Sequence, residues 1–195
     1  SYAVANREPI RSDFIDADEG KTPLHETLNN LEVGIKLSRK ALSFEVNYYL
    51  MDYKNQLVQT GAVNDVGSSI RSNVKDSYRM GIEFSSSYQI SKSISWSINT
   101  SLSKNKIKKF DELITTSSKI IKHRNTDISF SPEIIAGSVV SYSPTKKCLI
   151  SFQSKYVGEQ FLDNTSNQDR VIEAYIVHDV LIEYRFSFAK VNAAK

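Results

Sequence analysis

The chain has 195 residues, a formal net charge of +3 and a single cysteine, Cys148. Its length allows one domain with a sizeable core, and 25 basic against 22 acidic residues is too even a balance to indicate a nucleic-acid partner. One cysteine excludes a disulfide framework and a thiolate metal site, and the sequence has no run of about eighteen apolar residues that could form a membrane-spanning helix.

The chain opens with the features of a strand end followed by a loop. Residues 1–5 predict the end of a strand, and residues 6–26, which contain Pro, Gly and several acidic residues, predict a long loop. Residues 1–10 have no signal-peptide pattern and begin as if inside a sequence, so we expect the chain to be a piece of a longer protein. Alternating side chains then indicate a strand over residues 31–37.

The clearest pattern is a pair of strands, residues 42–60 and 68–88, joined by a loop tip at residues 61–67. Apolar and polar side chains alternate along both segments, which indicates β-structure because successive strand side chains point to opposite faces. One face is apolar over about ten residues, and the other is polar. Such a sheet is either half of a soluble sandwich or the wall of a membrane barrel.

Four more alternating segments follow, and together with the preceding ones they predict about eight strands. These segments cover residues 94–102, 134–142, 148–156 and 180–188. Polar loops are predicted at residues 110–127 and 162–170, and no segment of useful length has helical periodicity.

Short and long connections alternate strictly along the chain. The short ones are residues 39–40, 89–93 and 143–146, and the long ones are residues 6–26, 61–67, 110–127 and 162–170. In an up-and-down meander this order places all short turns at one end and all long loops at the other, as in outer-membrane barrels. A Greek-key sandwich gives no reason for such sorting. We therefore predict an all-β, antiparallel up-and-down meander of about eight strands from a transmembrane barrel.

The two faces support a membrane barrel. The polar face carries Ser, Asn, Gln, Glu, Lys and Arg, as the wall of an aqueous lumen does, and the apolar face has no charge in its central band. Aromatic residues lie near the predicted strand ends, as in the girdles at the two membrane interfaces. They are Tyr53, Tyr78, Tyr88, Tyr142 and Phe161.

Several segments resemble the barrel of TonB-dependent outer-membrane receptors. Residues 6–14 match the run N-R-E-P-x-R-x-D-F, and residues 23–34 match P-x-x-E-x-x-x-N-x-E-x-G. Residues 47–58, 73–83 and 155–164 are also similar to segments of that family, in the expected order.

The resemblance implies a barrel of about twenty-two strands around an N-terminal plug domain. It also implies residence in the outer membrane of a Gram-negative bacterium, in contact with its lipid, and energised import of a ferric siderophore, haem or cobalamin through the TonB complex. We expect residues 1–195 to form part of this barrel, with the plug, through which the TonB complex acts, and the final strands lying outside the chain.

Candidate ligand-binding residues are expected at the long-loop end or in the lumen, where Arg groups would attract an anionic ferric chelate. The candidates are Arg7, Arg11, Tyr53, Arg71, Arg79, Arg124 and Arg170. Each arginine could instead pair with Asp or Glu on a neighbouring strand. The three histidines are scattered without metal-ligand spacing, so we predict no metal site, no catalytic residue and no cofactor.

The function that this resemblance favours is energised uptake of a nutrient, and a ferric siderophore is the ligand we expect first, ahead of cobalamin and haem. A passive outer-membrane porin or adhesin barrel would share the same strand pattern. A soluble β-sandwich binding module would share the alternation alone. An enzyme is the least expected class, because the sequence shows no nucleophile paired with a base.

Overall fold

The computed structural model describes residues 1–17, 20–114 and 119–186. Strands dominate these residues, and none of the helices in them has the length and apolarity needed to cross a membrane. The elements are β1 (Tyr2–Arg7), α1 (Arg11–Ile15), β2 (Glu26–Ser38), β3 (Leu42–Val63), β4 (Ser69–Gln89), β5 (Ile94–Ile114), β6 (Lys119–Asp127), β7 (Ile134–Thr145), β8 (Cys148–Val157), β9 (Gln160–Phe161), β10 (Val171–Ile172) and β11 (Tyr175–Tyr184).

The strands form one antiparallel meander in the order β1-β2-β3-β4-β5-β7-β8-β11. Strand β6 joins the same sheet by pairing with the far part of β5, while β9 and β10 form a separate two-stranded ribbon. The outermost strands of the path are β1 and β11, so the sheet does not close within the described residues. This confirms the predicted all-β antiparallel architecture, and the ribbon is too small to be the second layer of a sandwich.

The structure corrects the prediction of a polar loop at residues 110–127. Strand β5 continues to Ile114, and β6 pairs with it from Lys106↔Asp127 to Ile114↔Lys119, so most of this segment is a hairpin. The prediction failed because polar residues occupy both faces here, which removes the apolar alternation that marks a strand. Residues 115–118 and residues 187–188 of the last predicted strand lie outside the described part of the chain.

Several other boundaries differ from the prediction. The predicted loop over residues 6–26 contains α1, which at five residues is too short to give a periodic signal. Strands β2 and β11 begin five residues before their predicted starts, at Glu26 and Tyr175, because pairing continues beyond the apolar positions. The connections at residues 39–41, 90–93 and 146–147 are short and those at residues 8–25 and 158–174 are long, which gives the sheet a short-turn end and a long-loop end. The predicted long loop at residues 61–67 is shorter than expected, because β3 continues to Val63 and leaves only residues 64–68 between β3 and β4.

An apolar face extends from the short turns over about nine residues in each of β3, β4 and β5, the number that a tilted strand needs to cross a bilayer. We define it by the even-numbered residues of these strands, and the polar face by the odd-numbered ones. The first row of the apolar face joins Leu42, Tyr88 and Trp96, and a later row joins Tyr48, Ile82 and Leu102. Charges begin one row farther on, with Lys104 opposite Met80, and continue in the next row, with Asp52 opposite Tyr78.

Strand pairing continues the apolar face across β7, β8 and β11, and the polar side chains within it satisfy one another. The indole Nε1 of Trp96 donates to Ser138 Oγ at 2.9 Å. Ser154 Oγ lies 2.9 Å from Nδ1 of His178, whose ring stacks on Phe152 with 5.4 Å between centroids. Such pairing lowers the cost of placing polar groups on an otherwise apolar face.

Beyond the apolar face, β3, β4 and β5 project toward the long-loop end and enclose a small core. Val58, Val74, Ile107, Phe110 and Ile128 are buried together there. Alternation is broken at Asn55, which has φ 52° inside β3, and the next three residues after it are all buried. A left-handed residue in an extended strand rotates the side chains that follow, so the two faces defined near the short turns do not continue unchanged.

We predict that Ile98→Arg, on the apolar face, impairs membrane assembly, because an arginine at mid-bilayer costs about 2–4 kcal/mol. Ser95→Arg is the matched variant, since Ser95 lies on the polar face of the same strand, opposite Gln89 and Ser141. The measurement is the fraction of folded, heat-modifiable barrel recovered from outer membranes. Equal losses for both variants would contradict the assignment of the faces.

Candidate functional site

The long-loop end is built from connections that fold back onto the projecting strands. Arg71 and Asn73 alternate along β4 with Ser72 and the buried Val74, so they point to the opposite side of the sheet from the small core. The connection between β1 and β2 covers the side of Arg71 and Asn73. The segments between β6 and β7 and after β8 cover the other side, through Ile128 and its neighbours.

A buried ion pair fixes the first connection. The Arg71 guanidinium binds both carboxylate oxygens of Asp13, with Nε–Oδ1 at 2.9 Å and Nη2–Oδ2 at 2.8 Å. Asp13 is only 3% exposed, and its Oδ2 also accepts the backbone N–H of Ile10 at 2.8 Å. A carboxylate with these three donors is satisfied although buried, so it holds α1 on β4.

Two more polar residues complete this attachment. Asn73 clamps the backbone of Leu24, accepting its N–H at 2.8 Å and donating to its C=O at 2.9 Å. Glu26 pairs with Arg7 at 2.7 Å, and its other oxygen accepts the N–H of Leu57 at 2.9 Å. The connection is therefore held at its beginning, middle and end.

On the other side of the sheet, Asn164 joins three distant parts of the chain. It is fully buried, its Oδ1 accepts the N–H of Ser129 at 2.9 Å, and its Nδ2 donates to the carbonyl of Gln59. The adjacent Asp163 binds Arg170 at 2.6 Å. Burial raises the pKa of Asp163, but hydrogen bonds from Thr165 and Arg170 outweigh it and hold that pKa below the ordinary value.

A cavity of about 410 Å³ lies on the polar face, just below these connections. Its strand residues include Tyr49, Arg79 and Asn105, and its rim toward the long-loop end is the segment Phe130–Pro132. Gly81 lets Tyr49 lie flat across the wall, because a Cβ at residue 81 would stand 2.7 Å from the tyrosine hydroxyl.

Charges in the cavity are separated along the strands. The Arg79 Nη1 donates to two neutral partners, Asn105 Oδ1 at 3.3 Å and Ser131 Oγ at 3.0 Å. Glu83 lies four residues nearer the short-turn end on the same face of β4, and Glu32 lines that lower part as well. An anion that enters from the long-loop end therefore meets the guanidinium first.

The rim residue Phe130 has a backbone conformation that is unfavourable for its type. Its φ is 51°, in the left-handed region, where a bulky residue is strained by about 1–3 kcal/mol. Its N–H donates to the carbonyl of Phe161 at 2.9 Å, and its side chain is 47% exposed.

The predicted site residues thus divide into groups. Three of the arginines form ion pairs with carboxylates, which is the alternative to ligand binding that the sequence left open. The pairs are Arg7 with Glu26, Arg71 with Asp13 and Arg170 with Asp163. Arg11 and Arg124 are exposed, and the hydroxyl of Tyr53 contacts Met51 Sδ at 3.8 Å on the polar face. Of the seven, Arg79 alone lines the described cavity. Ligand binding by these residues stays a prediction.

Sequence reasoning missed Phe130, Ser131 and Asn105 at the cavity, and Asn164 behind it. Asn164 lies at the end of residues 155–164, a segment that resembles the receptor family named in the sequence analysis. This resemblance was the one feature of the sequence that pointed to it. Phe130 lies between the predicted loop at residues 110–127 and the predicted strand at residues 134–142, in a segment too short to give a pattern of its own. The sequence analysis also missed the contact between Ser154 and His178. Among the described residues no carboxylate hydrogen-bonds to this histidine ring, so the pair lacks the third group of a catalytic triad.

Comparison with known proteins identifies one matching family model and several solved structures of similar fold. A family model described as "TonB dependent receptor-like, beta-barrel" matches residues 7–194. Solved structures of similar fold include the copper transporter OprC (16% identity, TM-score 0.68), the ferric-catecholate import receptor Fiu from K12 E. coli (20%, 0.64) and the FrpB iron transporter from Neisseria meningitidis (16%, 0.61). No curated protein sequence matches the chain.

The alignments cover 94%, 95% and 94% of this chain but only 28%, 26% and 29% of those structures. The chain therefore spans between a quarter and a third of the length of the structures it matches. At these identities the likeness shows the fold alone, while the family model shows membership.

We predict that Arg71→Ala opens the connection over residues 8–17, because the buried Asp13 carboxylate loses its partner at a cost of about 3–5 kcal/mol. Arg11→Ala, at an exposed position of the same connection, is the control and should change little. Hydrogen exchange of residues 8–17 gives the measurement. Equal protection in the two variants would show that the ion pair does not hold the connection.

The Asp163–Arg170 pair predicts a pH dependence for the segment after β8. Because the folded-state pKa of Asp163 is lowered, its contribution is complete above the ordinary Asp pKa of about 4 and is lost as the pH falls through the folded-state value. Protection of residues 161–170, corrected for intrinsic exchange rates, should fall in that acid range. Asp163→Asn should remove this dependence, and its persistence in the variant would assign it to another group.

Proposed function

This chain belongs to the TonB-dependent receptor β-barrel family, and we propose that it forms part of the wall of an outer-membrane receptor for energised uptake of a scarce nutrient. The open edges at β1 and β11 suit a wall segment of a larger barrel, with residues 1–195 as one portion of it. Lipid would cover the apolar face, and the TonB complex would act through a plug domain on the polar side.

The ligand that we propose is a ferric siderophore. The observation that carries this is Arg79, whose hydrogen bonds go to Asn105 and Ser131, both neutral, at the long-loop side of the cavity. Among the described residues Arg79 forms no ion pair with a carboxylate, so its guanidinium can offer its charge to an anionic chelate. Arg7, Arg71 and Arg170 instead hold carboxylates already. Haem and cobalamin are other ligands of such a receptor, and haem, with its propionates, would also be attracted.

A passive porin is the second candidate, since its wall would show the same two faces. Family membership favours the energised receptor. Uptake of radiolabelled iron as ferric dihydroxybenzoate, in cells that express the full-length gene product with and without TonB, separates the two. Energised uptake requires loss of transport without TonB, and equal transport in both strains would favour the porin.

We predict that Arg79→Gln in the full-length receptor weakens binding of ferric dihydroxybenzoate about tenfold, because a charge-assisted hydrogen bond is lost. Glu83→Gln is the matched variant in the same strand and cavity, and it should leave the affinity equal or higher. The dissociation constant from fluorescence quenching is the measurement. The reverse order, with only the Glu83 variant weakened, would show that Arg79 does not attract the anionic complex and would contradict the proposed role of Arg79.

A further inference from the structure

The segment that forms the cavity rim is buried on the side that precedes Phe130 and exposed at Phe130 itself. Ile128 is 3% exposed and Ser129 7%, whereas the Phe130 side chain is 47% exposed and lines the cavity. An apolar ring that could have joined the adjacent core of Ile107 and Phe110 instead faces the opening. The left-handed backbone conformation at Phe130 sets the direction in which this ring points.

Each residue of this segment has its own attachment. The N–H of Ile128 donates to Asn105 O at 3.0 Å, that of Ser129 to Asn164 Oδ1 at 2.9 Å, and that of Phe130 to Phe161 O at 2.9 Å. Farther along, the Ser131 hydroxyl accepts from Arg79 at 3.0 Å. The Pro132 carbonyl accepts from Ser103 Oγ at 3.3 Å.

These attachments over-determine the left-handed conformation of Phe130. A bulky side chain at φ 51° persists only where its surroundings enforce it, and such residues concentrate at binding sites and ligand clamps. Glycine or asparagine would occupy this position with less strain. The strained ring therefore calls for a role that neither of those residues could fill.

We propose that Phe130 is a fixed aromatic platform for the ligand and that Asn164 is the residue that positions it. The platform stands on the same cavity as Arg79, so the site combines the Arg79 cation with the exposed ring of Phe130 at the rim, while Tyr49 lies in the wall below them. An anionic chelate that itself carries aromatic rings fits both, through charge and through ring packing. This inference rests on the proposed function and narrows its ligand to aromatic rather than aliphatic chelates.

The test compares two anionic iron complexes on the full-length receptor: ferric dihydroxybenzoate, which has rings, and ferric citrate, which has none. Phe130→Asn removes the ring yet tolerates the left-handed backbone, so the fold is retained or stabilised. We expect this variant to bind ferric dihydroxybenzoate about tenfold more weakly and ferric citrate unchanged. Arg79→Gln should weaken both complexes, because it removes charge rather than ring contact.

The positioning role of Asn164 is tested by selectivity rather than by stability. Asn164→Ala should lower the preference for the aromatic complex in the wild-type background and have no such effect in Phe130→Asn, because the two changes act through one ring. A purely structural role would lower affinity for both complexes in both backgrounds, and would overturn this assignment.

The outcomes separate the two levels of the proposal. If the unaltered receptor binds neither iron complex, the proposed siderophore function fails and this inference fails with it. If the receptor binds ferric dihydroxybenzoate and Phe130→Asn binds it equally well, the function stands and the aromatic platform is wrong. Selective loss of the aromatic complex supports both.

Discussion

Antiparallel pairing in a single-layered sheet is the constraint on which the rest of this structure depends. Every paired residue has its face decided by register, since a shift of one position would exchange the apolar and polar sides. Rows such as Leu42, Tyr88 and Trp96 stay together only in the observed register. The chain can therefore present hydrocarbon-compatible side chains to one side and a polar wall with Arg79 to the other without a conventional core.

The long-loop end follows different physics. There the strands extend past the apolar face, and stability comes from a small core together with buried polar attachments. Asp13, Glu26 and Asn164 are buried acceptors whose donors come from distant segments. Buried groups of this kind stabilise only in the matching arrangement, because an unpaired partner is costly. The connections are consequently fixed parts of the wall, and the cavity below them has a defined rim.

The candidate site combines a residue placed by strand pairing with a residue placed by the buried attachments of a connection. Arg79 is placed by strand register, whereas Phe130 is placed by the attachments of its connection to Asn164 and Phe161. The position of the cation depends on the pairing of β4 with its neighbours, but the ring depends on contacts from several parts of the chain. In the proposed site, affinity for an anion would therefore depend on strand register, and selectivity for its chemistry on the folded connection.

The sequence by itself determined the strands, their order and the sorting of short turns from long loops, because alternation and turn residues are local properties. It failed where polar residues occupy both faces, as in β6, and it could not separate Arg79 from Arg71. That difference was decided by tertiary structure: Arg71 meets Asp13 across 58 positions, and Asn164 reaches Gln59 across 105. Partners so far apart are brought together only by folding. The residues next to an arginine in the sequence therefore do not reveal whether it is paired with a carboxylate or available to a ligand.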